Sequence, residues 1–181
     1  MKGENGMHTR WVAAVAAGSL ILGVGLGIAG SKDGAGIDAI RGKNAKDAGA
    51  AALVEAERLA GTGSWEQIGV GRVYYLSGDK ARGQAIFDRV TGAKPKASDW
   101  QRIGAVYAEA GENDRAADCY QKVLDLNPKD DTGQAEIGSW YIRIGQREKG
   151  EALLEKALQR DSSDVWHYVR AAEAFWNVPA S

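Results

Sequence analysis

From Gln67 onward the chain repeats itself, and that repeat limits what it can fold into more than any other feature. The segments beginning at Gln67, Trp100 and Gln134 superpose in register, at spacings of 33 and 34 residues. Gly71, Gly104 and Gly138 coincide, as do Tyr74, Tyr107 and Tyr141, and then Gly78, Gly111 and Gly145. Further on, Phe87, Tyr120 and Leu154 share a place, and Pro95 and Pro128 correspond to Ser162. A period of this length holds one small supersecondary unit, so stacked copies of a motif are expected rather than one closed core.

Each shared position has a physical reason if the unit is a helical hairpin. Val70, Ile103 and Ile137 precede the shared glycine, so the first helix presents one bulky and one absent side chain to its partner. The second helix answers twelve residues on with Gly83, Ala116 and Gly150, which lets two backbones come close; Gly104 is the expected point of closest approach. Gly78-Asp79, Gly111-Glu112 and Gly145-Gln146 fall where the first helix must stop in a left-handed residue and turn back. Phe87, Tyr120 and Leu154, followed by Val90, Val123 and Ala157, pack each second helix onto the next hairpin. Pro95 and Pro128 then close the unit, because a helix does not continue through proline.

These residues resemble the tetratricopeptide repeat. The stretch Trp100 to Pro128 follows that pattern at nearly every position; the first unit lacks its Trp and has Gly83 for Ala, and the third has Ser162 for Pro. The resemblance implies an all-α superhelix of about three helical hairpins, over residues 64–96, 97–130 and 131–164. An end helix over 165–176 follows, with Ala172 in the small-residue place and Trp166, Tyr168 and Trp176 as large aromatics. Ahead of the repeats, residues 45–60 predict a leading helix on which Leu53, Val54, Ala56 and Leu59 share a face, ended by Gly61-Thr62-Gly63. Residues 31–44, rich in glycine and charge, read as a flexible linker.

The N-terminus carries an address. After a basic tail over residues 1–10, Trp11 to Gly30 is a run of 20 residues without a charge. That length suffices to cross a hydrocarbon core and favours a retained transmembrane anchor, whereas its Ala and Gly content and the small residues at Gly27-Ile28-Ala29 suit a cleaved signal. The expected location is a bacterial cell envelope, membrane-anchored or exported, with the repeats outside the cytoplasm. Lys32, Arg41, Lys43 and Lys46 beyond the run weigh against that orientation. Gly25 to Gly30 fits G-x-G-x-x-G, but Ser31 to Gly36 breaks the helix that a nucleotide-binding loop has to open. Gly23 and Gly27 fit a close-packing pair for two membrane helices, a pattern that a segment this rich in glycine produces easily by chance.

Several function classes are disfavoured by composition. A net charge of −1 offers no electrostatic footprint for nucleic acid. Cys119 stands alone, so no disulfide within the chain and no multi-cysteine metal site is expected, and His8 and His167 are the only histidines. Glu109, Glu112 and Asp114, and likewise Asp125, Asp130 and Asp131, read as solvated helix ends and turns. With no nucleophile or phosphate-loop motif in place, the chain is expected to have no catalytic residue, no metal and no cofactor, and not to be an enzyme.

Proteins that resemble this family generally bind an extended or helical peptide along the first helices of the hairpins. The corresponding positions are Ile68, Arg72 and Tyr75 in the first unit and Gln101, Ala105, Ala108 and Glu109 in the second. The third unit supplies Ala135, Ser139, Ile142 and Arg143, and the end helix Val169 and Glu173. Arg72, Glu109, Ser139 and Arg143 are expected to orient a peptide, with Tyr75, Ile142 and Val169 as its apolar anchors. The Lys and Asn with which chaperone-tail binders of the family clamp a C-terminal carboxylate are missing from these places. The expected function is a protein interaction scaffold tethered to or exported across a membrane. The alternative is a self-assembling, homo-oligomeric envelope protein, built through the end helix or the glycine-rich apolar segment.

Overall fold

The structure, a computed structural model, describes residues 36–178. A short 3-10 helix, Gly36–Ala39, lies inside the stretch expected to be a flexible linker. It is followed by α1 (Ala45–Ala60), α2 (Ser64–Leu76), α3 (Lys80–Gly92) and α4 (Ala97–Glu109), and then by α5 (Asn113–Leu126), α6 (Asp131–Arg143), α7 (Arg147–Arg160) and α8 (Val165–Phe175). Among the described residues there is no strand. The expected hairpins are α2/α3, α4/α5 and α6/α7, with α8 as the end helix. The basic tail and the apolar run 11–30 lie outside the described residues. No described helix is long and apolar enough to cross a membrane.

Local chemistry sets the boundaries. Asp79, Asp130 and Asp164 accept hydrogen bonds from the backbone N–H groups of Arg82, Gly133 and Trp166, capping α3, α6 and α8. The first helices stop where Gly78, Gly111 and Gly145 take φ of 108°, 75° and 85°, a left-handed region costly for any residue with a Cβ. After Gly111 and Gly145 the next N–H reaches back over the turn, Glu112 to the Tyr107 carbonyl and Gln146 to the Tyr141 carbonyl, each at 2.8 Å.

Within each hairpin the shared glycines set the helix separation. A Cβ on Gly71 would lie 2.6 Å from the Phe87 ring, and one on Gly104 2.9 Å from the Tyr120 ring. A Cβ on Gly138 would lie 2.8 Å from the backbone oxygen of Gly150, and one on Gly83 2.7 Å from that of Gly71. Backbone therefore meets backbone in the first and third hairpins, where both members are glycine. In the second, Gly104 faces side chains, a Cβ there lying 3.0 Å from Cys119 Cβ as well, and Ala116 keeps a fully buried methyl.

Phe87, Ile103, Tyr107, Val123, Ile137 and Tyr141 form a core that runs continuously through the hairpins. Leu53, Ala56 and Ala60 of α1 pack onto Val70, Tyr74 and Ile86. Val54 and Leu59, expected on the same buried stripe, are 57% and 65% exposed, because α1 packs on one side only and buries a narrow strip. Cα atoms of α2 and α4, and of α6 and α8, approach within 8 Å, whereas none of α3 and α5 or of α5 and α7 do. The second helices thus splay apart and the first helices line the inside of the bend. One pair of first helices is exceptional: no Cα of α4 comes within 8 Å of one in α6.

Candidate functional site

The inner face carries two seams, α2 to α4 and α4 to α6, and Ala105 lines a cavity at each. Several residues expected to present themselves to a partner are instead committed to packing. Ile68, Tyr75, Ala135 and Ser139 are 3%, 2%, 1% and 1% exposed. Tyr75 wedges between Phe87 and Tyr107, with ring centroids at 5.7 and 5.6 Å. Ala135 packs on Leu154 and Ala157, and the Ser139 hydroxyl donates to the Arg170 carbonyl at 2.8 Å, tying α6 to α8. Ala108 and Ile142 are half-buried against the core. Val169 is half-buried on α8, where Glu173 holds Arg170 at 2.6 Å.

The first seam is closed by its own charges. Arg72 of α2 donates through Nε at 2.9 Å, and through a second nitrogen, to the Glu109 carboxylate of α4. Beside this pair Trp65 is 63% exposed, and the Arg102 guanidinium sits 3.2 Å from its ring centroid. Together these side chains border a cavity of about 220 Å³.

At one end of this seam lies a second charge network. The Glu112 carboxylate, at the N-terminus of α5, accepts from the Tyr75 hydroxyl and from Lys80 Nζ, both at 2.6 Å, and from Arg115 at 3.0 Å. The Lys80, Tyr75 and Arg115 hydrogen bonds hold Glu112 down at about 2. Burial, and then the bond to that carboxylate, push the Tyr75 phenol up to about 12. Glu112 therefore corrects the expectation of a solvated turn, since it is half-buried and ties two repeats together; Glu109 is an exposed helix end that pairs with Arg72, and Asp114 is simply exposed.

The second seam is open. Trp140 occupies the register place that Val73 and Val106 hold in the first two units. Its indole meets the Tyr120 ring edge-on, at a centroid distance of 4.8 Å, and fills the space that keeps α4 and α6 apart. A cavity of about 240 Å³ lies there, walled by Gln101, Ala105, Tyr120, Ile137 and Trp140, with Glu136, Arg143 and Arg170 contributing charge. The Gln101 amide donates across the seam to Glu136. Burial raises the Glu136 carboxyl above its ordinary value, against the pull of Arg170. Arg143 Nη1 is buried and has no hydrogen-bond partner.

Two further residues are structural. Cys119 is buried in the core, which pushes its thiol up to about 11 and leaves it a poor nucleophile. His167 is 1% exposed, with Nδ1 3.0 Å from the Asp161 carbonyl. Among the described residues no group of three or more His, Cys, Asp or Glu side chains is arranged to hold a metal.

Trp65, Arg102, Glu136, Trp140 and Arg170 did not emerge from the sequence as inner-face residues. Trp140 is the one with a visible signal, as the single aromatic in a register place otherwise held by valine.

Residues 97–130, spanning the second hairpin, match the Tetratricopeptide repeat family. Over 75 residues the chain is 33% identical to the Photosystem I assembly protein Ycf3 of Prochlorococcus marinus. That stretch is 41% of this chain, and it spans only 39% of the length of that relative. The family match in the second hairpin, the relative, and the same hairpin geometry on either side together support a tetratricopeptide-repeat protein.

Proposed function

We propose that the chain is a non-enzymatic scaffold that recruits a partner protein by binding a peptide or helix of it along the inner face of α2, α4, α6 and α8. The observation that carries this reading is the cavity between α4 and α6, which joins apolar walls to a guanidinium nitrogen of Arg143 that has no partner, on the face where the first helices gather. A role in assembling other proteins is in keeping with the name of the relative, an assembly protein. Tethering through residues 11–30, with the repeats outside the cytoplasm of a bacterial cell, belongs to the same proposal. Fractionation tests it: full-length chain recovered in the soluble cytosolic fraction would remove the tether.

The binding reading is tested by a photo-crosslinking amino acid placed at Ala105 or, separately, at Trp166 in the full chain. Partner adducts from Ala105 and none from Trp166 support the inner face; the reverse result moves binding to α8. That second outcome would favour self-assembly or capture through the end helix, where Trp166, Tyr168 and Trp176 are 57%, 52% and 79% exposed.

A further inference from the structure

Comparing the two seams place by place shows what the second one lacks. Arg72, Ala105 and Ser139 hold one register position, each just after the shared glycine, and Glu109 and Arg143 hold another, four residues further on. Across the first seam these two positions face each other as Arg72 and Glu109, and the charges cancel. Across the second they are Ala105 and Arg143, so the cation looks toward a methyl group. The nearby acids are already engaged: Glu136 accepts from Gln101, and Glu173 holds Arg170. Arg143 is left with a buried Nη1 donor that nothing accepts. A planar guanidinium in that state is matched best by a carboxylate, which takes two parallel N–H bonds at once.

We propose that the α4/α6 cavity is a carboxylate subsite in which Arg143 receives an acidic group of the bound partner, the apolar residues beside that group resting on Trp140 and Ile137. This rests on the inner-face reading above and names the chemistry it recognises. The acidic group is a side chain within the partner segment, because Ala105 belongs to both cavities and the groove continues past the subsite toward Trp65. A free C-terminal carboxylate offers Arg143 the same chemistry and is separated from it by the experiment.

Three sets of capped heptapeptides with randomised apolar flanks serve as probes against the full chain: glutamate at the centre, glutamine at the centre, and glutamine with an uncapped C-terminal carboxylate. Fluorescence anisotropy is expected to show the glutamate set binding about tenfold more tightly than the capped glutamine set, the difference expected of a charge-assisted hydrogen bond. Arg143→Gln should abolish that preference, and Arg143→Lys should restore only part of it. The comparison of peptides on the unaltered protein stands even if a variant folds poorly. Preferential binding of the uncapped glutamine set would overturn the side-chain assignment in favour of a chain terminus. Equal binding of the glutamate and capped glutamine sets would overturn the carboxylate subsite and leave the inner-face reading intact. Binding by none of the sets would also overturn the subsite, while Ala105 crosslinking decides the inner-face reading separately.

Discussion

The first seam brings Arg72 and Glu109 together; the second sets Ala105 opposite Arg143 in the same register, with Trp140 holding the helices apart. One repeat geometry thus yields a junction complete in itself and a junction that ends in an unused donor. The difference lies in three side chains and in the wider separation of α4 from α6 that accompanies them. Repetition of the packing positions fixes how hairpins stack, while the positions between them decide whether a seam is sealed or left for a partner. The neighbouring acids follow the same division: Glu112, which accepts from three donors, is held down, and Glu136, half-buried with one amide donor, is pushed up.

The comparison breaks most visibly if Trp140 is not the wedge. Trp140→Val should cost roughly 2–4 kcal/mol, as large-to-small changes at buried aromatics do, measured by chemical denaturation. A loss below about 1 kcal/mol would mean that the seam stays open for another reason. Glu112→Gln comes next, at roughly 1 kcal/mol near neutral pH once partial exposure is allowed for. The sign follows from the folded value of about 2 against the ordinary 4.5: this carboxylate stabilises above 4.5, and the contribution fades as pH falls toward 2. Melting curves of Glu112→Gln and the unaltered chain should therefore converge in that window. A gap that persists at pH 2 would contradict the network.

Glu136→Gln should act in the opposite sense and more weakly. Because burial raises this carboxyl, the folded state favours its protonated form, and stability falls as pH climbs above the ordinary glutamate range. The glutamine variant should melt slightly higher than the unaltered chain at neutral pH and equally at acidic pH, while still accepting from Gln101. The smallest effect belongs to Arg72→Ala. The Arg72–Glu109 pair is 47% exposed on both sides, so its loss should change stability by less than about 1 kcal/mol and leave glutamate-peptide binding at the second seam untouched.

The hairpins were legible in the sequence because their signals are local. Gly78, Gly111 and Gly145 end helices wherever they occur, and the paired small residues have no use except close packing. The inner face was legible as a set of helices but not as a surface. Ile68, Tyr75 and Ala135 sit at positions that point toward the groove in projection, yet Tyr107 of the next repeat closes over Tyr75 and α7 of the same hairpin covers Ala135, so burial depends on side chains distant in the sequence. Glu112 looked like a solvated turn residue because Tyr75 and Lys80, which engage it, belong to the preceding unit. Arg143 was visible as a charge on the right helix; that its partner position holds Ala105 means nothing until Arg72 and Glu109 are seen to meet.

Ala105→Glu tests the contrast between the seams most directly, because it puts an acid at the register position opposite Arg143, where the second seam has only a methyl group. Melting temperature and anisotropy with the glutamate-centred peptides are measured on the same preparation. The variant should melt no lower than the unaltered chain and lose its preference for glutamate over glutamine peptides, since its own carboxylate would occupy Arg143. A variant that melts as the unaltered chain does and keeps its full preference would show that Arg143 does not receive the partner's carboxylate.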